Sequence, residues 1–266
     1  MNHSAPVRRA KPLLGTLVAI EASGHDAARA IAAGFAAIAQ VHQRMSRFEA
    51  DSDIARLNAA PVGAWVEADP TTVTVLALAH TLHRDSGGAF DCTRRADAGR
   101  LSPQPEWEIA DGKIRKHAPL QFDLGGIAKG YAVDCAIEAM RPFVMDANDT
   151  AHALVNAGGD VRHLGEPAIN IALRDCNDPA HIAMQWPLHN AAIASSVVGG
   201  LTPQAGHPRI FGDTPLPLRA GASVLAPTCI LADALTKIIL VLRAPDHPLL
   251  QRYNARALLY CADTKQ

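Results

Sequence analysis

"FDLGGIAKGYAVD", residues 122–134, sets an acid, two adjacent glycines and a lysine where a strand-like segment gives way to a helical one. A structural turn needs one glycine at positive φ, whereas clustered glycines with a lysine also let backbone N–H groups and a cation approach an anion closely. The spacing is neither the G-x-x-x-x-G-K-[ST] of a P-loop nor the G-x-G-x-x-G of a dinucleotide fold. A tight strand-to-helix turn and a phosphate site both fit it. A second turn, "NAGGD" at 156–160, adds another place where backbone can approach a ligand.

Outward from this stretch, the chain alternates apolar strands with amphipathic helices. "PLLGTLVAIEAS" (12–23) has the pattern of an opening strand. Asp26 is expected to cap a helix whose buried face carries Ile31, Phe35, Ile38, Met45 and Phe48. Asp69 and Pro70 open a second helix with Val75, Leu78 and Leu82 inside and Gly87 as its stop. Residues 93–120 carry the weakest pattern, although "WEIADGKIRK" (107–116) reads as a hairpin around Asp111-Gly112. A helix follows through Tyr131, Ile137 and Met140. Strands are expected at "ALV" (153–155), "AINIALR" (168–174), "AAIASS" (191–196) and "GASVLAP" (221–227). The last strong helix, "TCILADALTKIILVL" (228–242), takes Thr228 as its cap. The order fits an α+β protein with mixed sheets packed against helices, in one large domain spanning 1–266 with room for two lobes.

Composition narrows the function classes. Lys and Arg number 25 against 26 Asp and Glu, so a net charge of -1 offers no general attraction to nucleic acid or an anionic membrane. No apolar run reaches the roughly 20 residues that span a bilayer. The N-terminus lacks the apolar core of a secretory signal, and the chain reads as cytoplasmic. Five widely spaced cysteines (Cys92, Cys135, Cys176, Cys229, Cys261) form no C-x-x-C pair, which favours free thiols over zinc or disulfides. Asp233 and Thr236, three apart on one helix face, offer a carboxylate and a hydroxyl as hard oxygen ligands, and a solvated or capped helix face fits the pair as well.

Taken in order, "LLGT" (13–16), "MSRFEADSDIARLN" (45–58), "SGGAFD" (86–91), "DLGGIAKGYAVD" (123–134), "NAGGD" (156–160) and "APTCILADALTK" (226–237) resemble the ApbE-type FAD:protein FMN transferases. The resemblance implies an enzyme that binds FAD, uses Mg²⁺, and transfers FMN to a threonine hydroxyl in a Ser/Thr-Gly-Ala-Thr-like site of an acceptor flavoprotein, releasing AMP. It implies that Leu14, Phe48, Ala89, Phe90, Asp91, Asp123 and Lys129 line the FAD site. It further implies that the Gly126 carbonyl, Asp233 and Thr236 hold the metal. Two features depart from the family pattern. The family's His-Ile-x-Asp-Pro-Arg-Thr-Gly segment is replaced by "GHPRIFGDTPLPLRAG" (206–221), leaving His207 as the nearest counterpart of the candidate base and Asp213 as the nearest acid. Lys237 stands where many relatives place a further metal-binding threonine, which leaves three outcomes: it points away and Thr236 remains the ligand, it contacts phosphate directly, or its ammonium sits where the metal would be; the direct phosphate contact with the metal retained is the expected one. An FAD pyrophosphatase giving FMN and AMP, and a non-catalytic FAD-binding protein, are the alternatives.

Overall fold

The computed structural model describes residues 5–94, 101–144, 151–174, 180–198 and 220–261. The opening segment is a hairpin where a single strand was expected: β1 (Val7–Leu13) turns through Leu14 and Gly15 into β2 (Thr16–Ala22). Both turn residues have positive φ, 55° and 71°, which matches the twist of the flanking strands but strains a leucine. Next comes α1 (Ala27–Met45), with Ile31, Phe35, Ile38 and Met45 buried as its spacing predicts. Phe48 lies beyond the end of this helix and is 78% exposed, so it does not share that face. Asp26 makes no capping bond and instead pairs with Arg29 at 3.4 Å.

Ser52 caps the short α2 (Asp53–Ala59), and β3 (Trp65–Glu67) leads to α3 (Pro70–Asp85). There Asp69 accepts from the Thr71 N–H at 2.9 Å with Pro70 at the first turn, as expected. After β4 (Thr93–Arg94), the expected hairpin is present as β5 (Trp107–Ala110) and β6 (Lys113–Lys116), turning through Asp111 and Gly112, both at positive φ. β7 (Gln121–Phe122) pairs with β4 and delivers the chain to α4 (Ala128–Val144). Gly158 and Gly159 join β8 (His152–Ala157) to β9 (Asp160–Gly165). A separate hairpin, β10 (Ile169–Arg174) and β11 (Ile182–Leu188), precedes β12 (Ala192–Val198) and β13 (Ala220–Ala226). The chain ends with α5 (Cys229–Leu242), α6 (Pro248–Arg252) and β14 (Arg256–Cys261).

Seven strands form one antiparallel sheet in the order β1-β2-β8-β9-β12-β13-β14. Alternation decides its faces: Val18, Ile20 and Ala22 of β2 and Ala153, Val155 and Ala157 of β8 point into the core shared with α1, α4 and α5. A smaller cluster, in which Val161 and Ile193 meet Leu173 and Leu188, seats the β10–β11 hairpin. An α+β body of several sheets packed with helices is thus as the sequence pattern predicts, and every described strand pair in it is antiparallel. Among the described residues no helix is long and apolar enough to cross a membrane.

His163 on β9 is buried beside His152 and His189, with ring centroids 6.0 and 6.4 Å away. Burial, reinforced by the two neighbouring imidazoles and only partly offset by Glu166, brings its pKa down to about 4. Below pH 6.5 an unfolded histidine takes up a proton that the folded one refuses. The contribution of His163 to stability is thus complete above about pH 6.5 and is lost as the pH falls toward 4, a change of about 3 kcal/mol by linkage. Asp160, whose pKa is raised by burial, acts in the opposite sense. Urea melts of the parent and His163→Gln across this window isolate the histidine, and the variant is expected to show a flatter acid limb.

Candidate active site

The glycine turn is organised by Asp123. Its backbone N–H bonds to the Cys92 carbonyl at 2.8 Å, and one carboxylate oxygen accepts from the Gly125 N–H at 3.1 Å. The other oxygen pairs with Arg94 at 2.7 Å and Arg47 at 3.5 Å, so the acid closes the turn and gathers two guanidinium groups at its rim. The Leu124 carbonyl accepts from the Ile127 and Ala128 N–H groups and starts α4. An open pocket of about 160 Å³ lies over this turn, with Leu14, Met45, Phe48, Gly125 and Lys129 in its lining. Arg47 covers one face of the Phe48 ring at 4.1 Å from its centroid.

Beneath the pocket, four charges alternate in sign. Lys129 pairs with Asp160 and lies 3.9 Å from Asp233, while Lys237 pairs with the other oxygen of Asp233. Asp233 and Asp160 are essentially inaccessible to solvent. Burial opposes the charge on Lys129, but Asp233 and Asp160 outweigh it and hold its pKa above that of an ordinary lysine. For Asp233 burial is likewise outweighed, by Lys129 and Lys237, and its pKa is lowered. Asp160 has its pKa raised to about 6, because burial and the Asp233 charge exceed the relief from Lys129. The two acids compete for the same lysine, and Asp233, with two cations and the Gly130 N–H at 3.2 Å, is the better stabilised anion.

Two helices fix this arrangement. A Cβ on Gly130 would lie 2.3 Å from the Cys229 carbonyl oxygen and 2.9 Å from the Asp233 Cβ, so α4 and α5 meet at a distance only glycine permits. Asp134, one turn further along α4, accepts from the Cys229 and Ile230 N–H groups at 2.8 Å each and thereby caps α5. Thr228, expected as the cap, makes no side-chain capping bond. Sequence spacing along one helix carries no signal for a cap supplied by another.

The structure brings Leu14, Phe48, Asp123 and Lys129 to one pocket and sets Gly126, Asp233, Thr236 and Lys237 under it. Phe90 is 2% exposed and Ala89 is buried; both belong to the core, so Phe90 presents no ring to a ligand and Phe48 is the aromatic at the pocket. Asp91 accepts from the Thr93 N–H and hydroxyl at 2.8 Å, which shapes the loop after α3. His207 and Asp213 lie outside the described residues. Ser196 and the cluster role of Asp160 went unforeseen, although "NAGGD" already marked the turn that carries the acid.

The donors at Asp233 do not fit a divalent metal. One oxygen holds the Lys237 ammonium and the other the Gly130 N–H. Thr236 donates its hydroxyl proton to the Asp233 backbone carbonyl at 2.7 Å and is hydrogen-bonded to Ser196 at 2.7 Å, so its oxygen is turned into the helix. Lys237 also donates to Ser196 at 3.0 Å. A divalent cation about 4 Å from that ammonium would meet repulsion of about 8 kcal/mol at an effective dielectric near 20. The expected direct phosphate contact of Lys237 with metal retained thus gives way to an ammonium seated on the carboxylate itself.

Residues 14–259 match the sequence profile of the ApbE family, and the chain belongs to that family. No curated protein matches it significantly. Among solved structures it is similar to the ApbE protein of Thermotoga maritima, with TM-score 0.78 and 21% identity over 96% of this chain and 94% of that one. The flavinyl transferase ApbE of Pseudomonas stutzeri in its apo form gives 0.77 and 20%, over 100% and 94%. The flavin transferase ApbE from Vibrio cholerae gives 0.73 and 20%, over 99% and 95%. At these identities the likeness carries the fold.

Gly130→Ala tests the helix crossing. Alanine favours a helix by about 1 kcal/mol, but its methyl group would press on backbone that cannot rotate away, at a cost of about 1–3 kcal/mol or more. The expected outcome is a net loss of stability in urea denaturation, in contrast to an ordinary Gly→Ala change in a helix.

Proposed function

We propose that the chain transfers FMN from FAD to a threonine hydroxyl of an acceptor flavoprotein and releases AMP. Family membership supports a flavin-transfer type of reaction. The observation that carries the finer reading is Lys129: a lysine held charged by two buried acids, lining a pocket together with Asp123, Gly125 and the exposed ring of Phe48. That combination suits a ligand with a pyrophosphate joined to a flat ring system.

In this reaction the threonine oxygen attacks the phosphorus attached to riboflavin, the bond from that phosphorus to the bridging oxygen breaks, and AMP departs with the bond's electron pair. Charge builds on the bridging and equatorial oxygens, and a preorganised cation beside them lowers the barrier without reorganising. Lys129 takes that role, and Asp160 and Asp233 hold its ammonium in position. The hydroxyl proton passes to a base, for which His207 is the candidate that the sequence offers. The resemblance also implies Mg²⁺, but Lys237 and the Gly130 N–H engage both Asp233 oxygens that would hold it.

Mass analysis after mixing the protein with FAD and a threonine-bearing acceptor domain tests the reading. Acceptor gaining FMN with an equal amount of AMP is the expected result. AMP with free FMN would instead define a pyrophosphatase, and FAD left intact a binding protein. Lys129→Met is expected to slow transfer by about 10²–10³-fold, the usual effect of deleting one preorganised charge-stabilising group. Lys129→Arg keeps the pairing with Asp160 and is expected to fold as the parent does and to retain more of the rate.

A further inference from the structure

The geometry assigns the Lys237 ammonium as the resident cation of this site: seated on Asp233 and Ser196, it stands in place of a divalent metal, and the pocket binds its ligand without one. The Asp233 carboxylate is buried, and a buried carboxylate requires a cation or a set of hydrogen-bond donors to remain ionised. Lys237 meets that requirement from within the chain. It stands four residues after Asp233 on α5, hence on the same face, and its ammonium reaches the carboxylate oxygen not engaged by Gly130.

The surrounding groups are built for an ammonium. Thr236 gives its proton to the Asp233 carbonyl and accepts the proton of Ser196, which leaves the Ser196 oxygen free to accept from Lys237 at 3.0 Å. All three side chains are then partnered with no donor set against donor. Gly126 completes the cradle, since a Cβ there would stand 3.3 Å from the Lys237 Cε and crowd the side chain where it passes under the turn. Counted together, Asp160 and Asp233 balance Lys129 and Lys237, and the cluster is neutral without any added ion. A metal at Asp233 would have to displace an ammonium that pairs with that carboxylate and also acts on the buried Asp160 charge.

The ligand in this inference is the pyrophosphate of the proposed FAD, and to that extent it rests on the reading above; the assignment of the cation does not. Mn²⁺ titration followed by electron paramagnetic resonance, on the full chain and on Lys237→Thr, addresses the cation directly. The parent is expected to take up no Mn²⁺ at millimolar concentration, and the variant to bind one equivalent. In parallel, FAD binding by the parent, read from flavin fluorescence, is expected to be the same in Mg²⁺ and in EDTA, whereas the variant loses at least about tenfold in EDTA, equivalent to about 1.4 kcal/mol. Stoichiometric Mn²⁺ on the parent, a folded Lys237→Thr that binds none, or parent FAD binding that collapses in EDTA would each overturn the assignment. Lys237→Ala, followed by its melting temperature with and without Mn²⁺, gives the same decision if the threonine variant is too unstable to purify: a metal-dependent rise in the variant alone supports the assignment, and an equal rise in the parent overturns it. A parent that binds FAD under neither condition would remove the flavin reading, while the Mn²⁺ titration would still decide the cation.

Discussion

The close approach of α4 and α5 is the constraint from which the site follows. Helix α5 starts beneath a buried crossing with no capping side chain of its own, and its first free N–H groups would be orphaned there. Asp134 receives two of them from across the interface, and Arg162 at 2.8 Å balances the charge. Burial raises the pKa of Asp134 against these partners, a sign that the carboxylate serves a structural need at an electrostatic cost. Gly130, one turn earlier, removes a side chain that would hold the helices apart. The cap and the missing Cβ are parts of one joint.

That joint explains why Asp233 and Lys129, more than a hundred residues apart in the chain, share one charge cluster. Lys129 lies just before the crossing glycine on α4, and Asp233 lies one turn into α5, so setting the helices at contact distance sets the carboxylate against the lysine. Residue 130 even supplies a backbone N–H to Asp233. On the other side, β9 brings Asp160 from the end of a tight glycine turn, where Gly159 at φ 102° leaves no alternative residue type without strain. The sheet therefore contributes the outer acid and the helix pair the inner one.

Much of this was legible in the sequence, and the limits have physical causes. The α1 face short of Phe48, the Asp69 cap with Pro70, and the Asp111-Gly112 hairpin rest on local periodicity and turn chemistry and stand in the structure as expected, whereas on α3 Val75 and Leu82 are buried but Leu78 is only half-buried. The Leu14-Gly15 turn was missed because a leucine at positive φ defies local preference; only the surrounding packing holds it there, at the mouth of the pocket. Phe48 and Phe90 look alike in sequence as aromatic candidates, yet one closes a core and the other stands in solvent, a distinction set by tertiary position alone. The α5 cap and the contacts of Thr236 and Lys237 with Ser196 cross between elements and leave no period to read, whereas the Lys237–Asp233 pair has the four-residue spacing of one helix face.

Lys237 also changes what kind of electrostatics the site can use. A divalent ion carries twice the charge, draws several oxygens into a fixed shell and exchanges with solvent, whereas a lysine ammonium is a tethered point charge with three donors and no Lewis-acid character. In the proposed reading, substituting one for the other leaves the inner carboxylate neutralised but shifts the task of meeting pyrophosphate charge toward Lys129 and the Arg47 and Arg94 pair gathered by Asp123. Arginine suits such a rim, because its planar fork can leave a carboxylate for a phosphate oxygen while keeping full charge. Lys237 then holds the framework, and Arg47 and Arg94 can exchange Asp123 for a ligand oxygen.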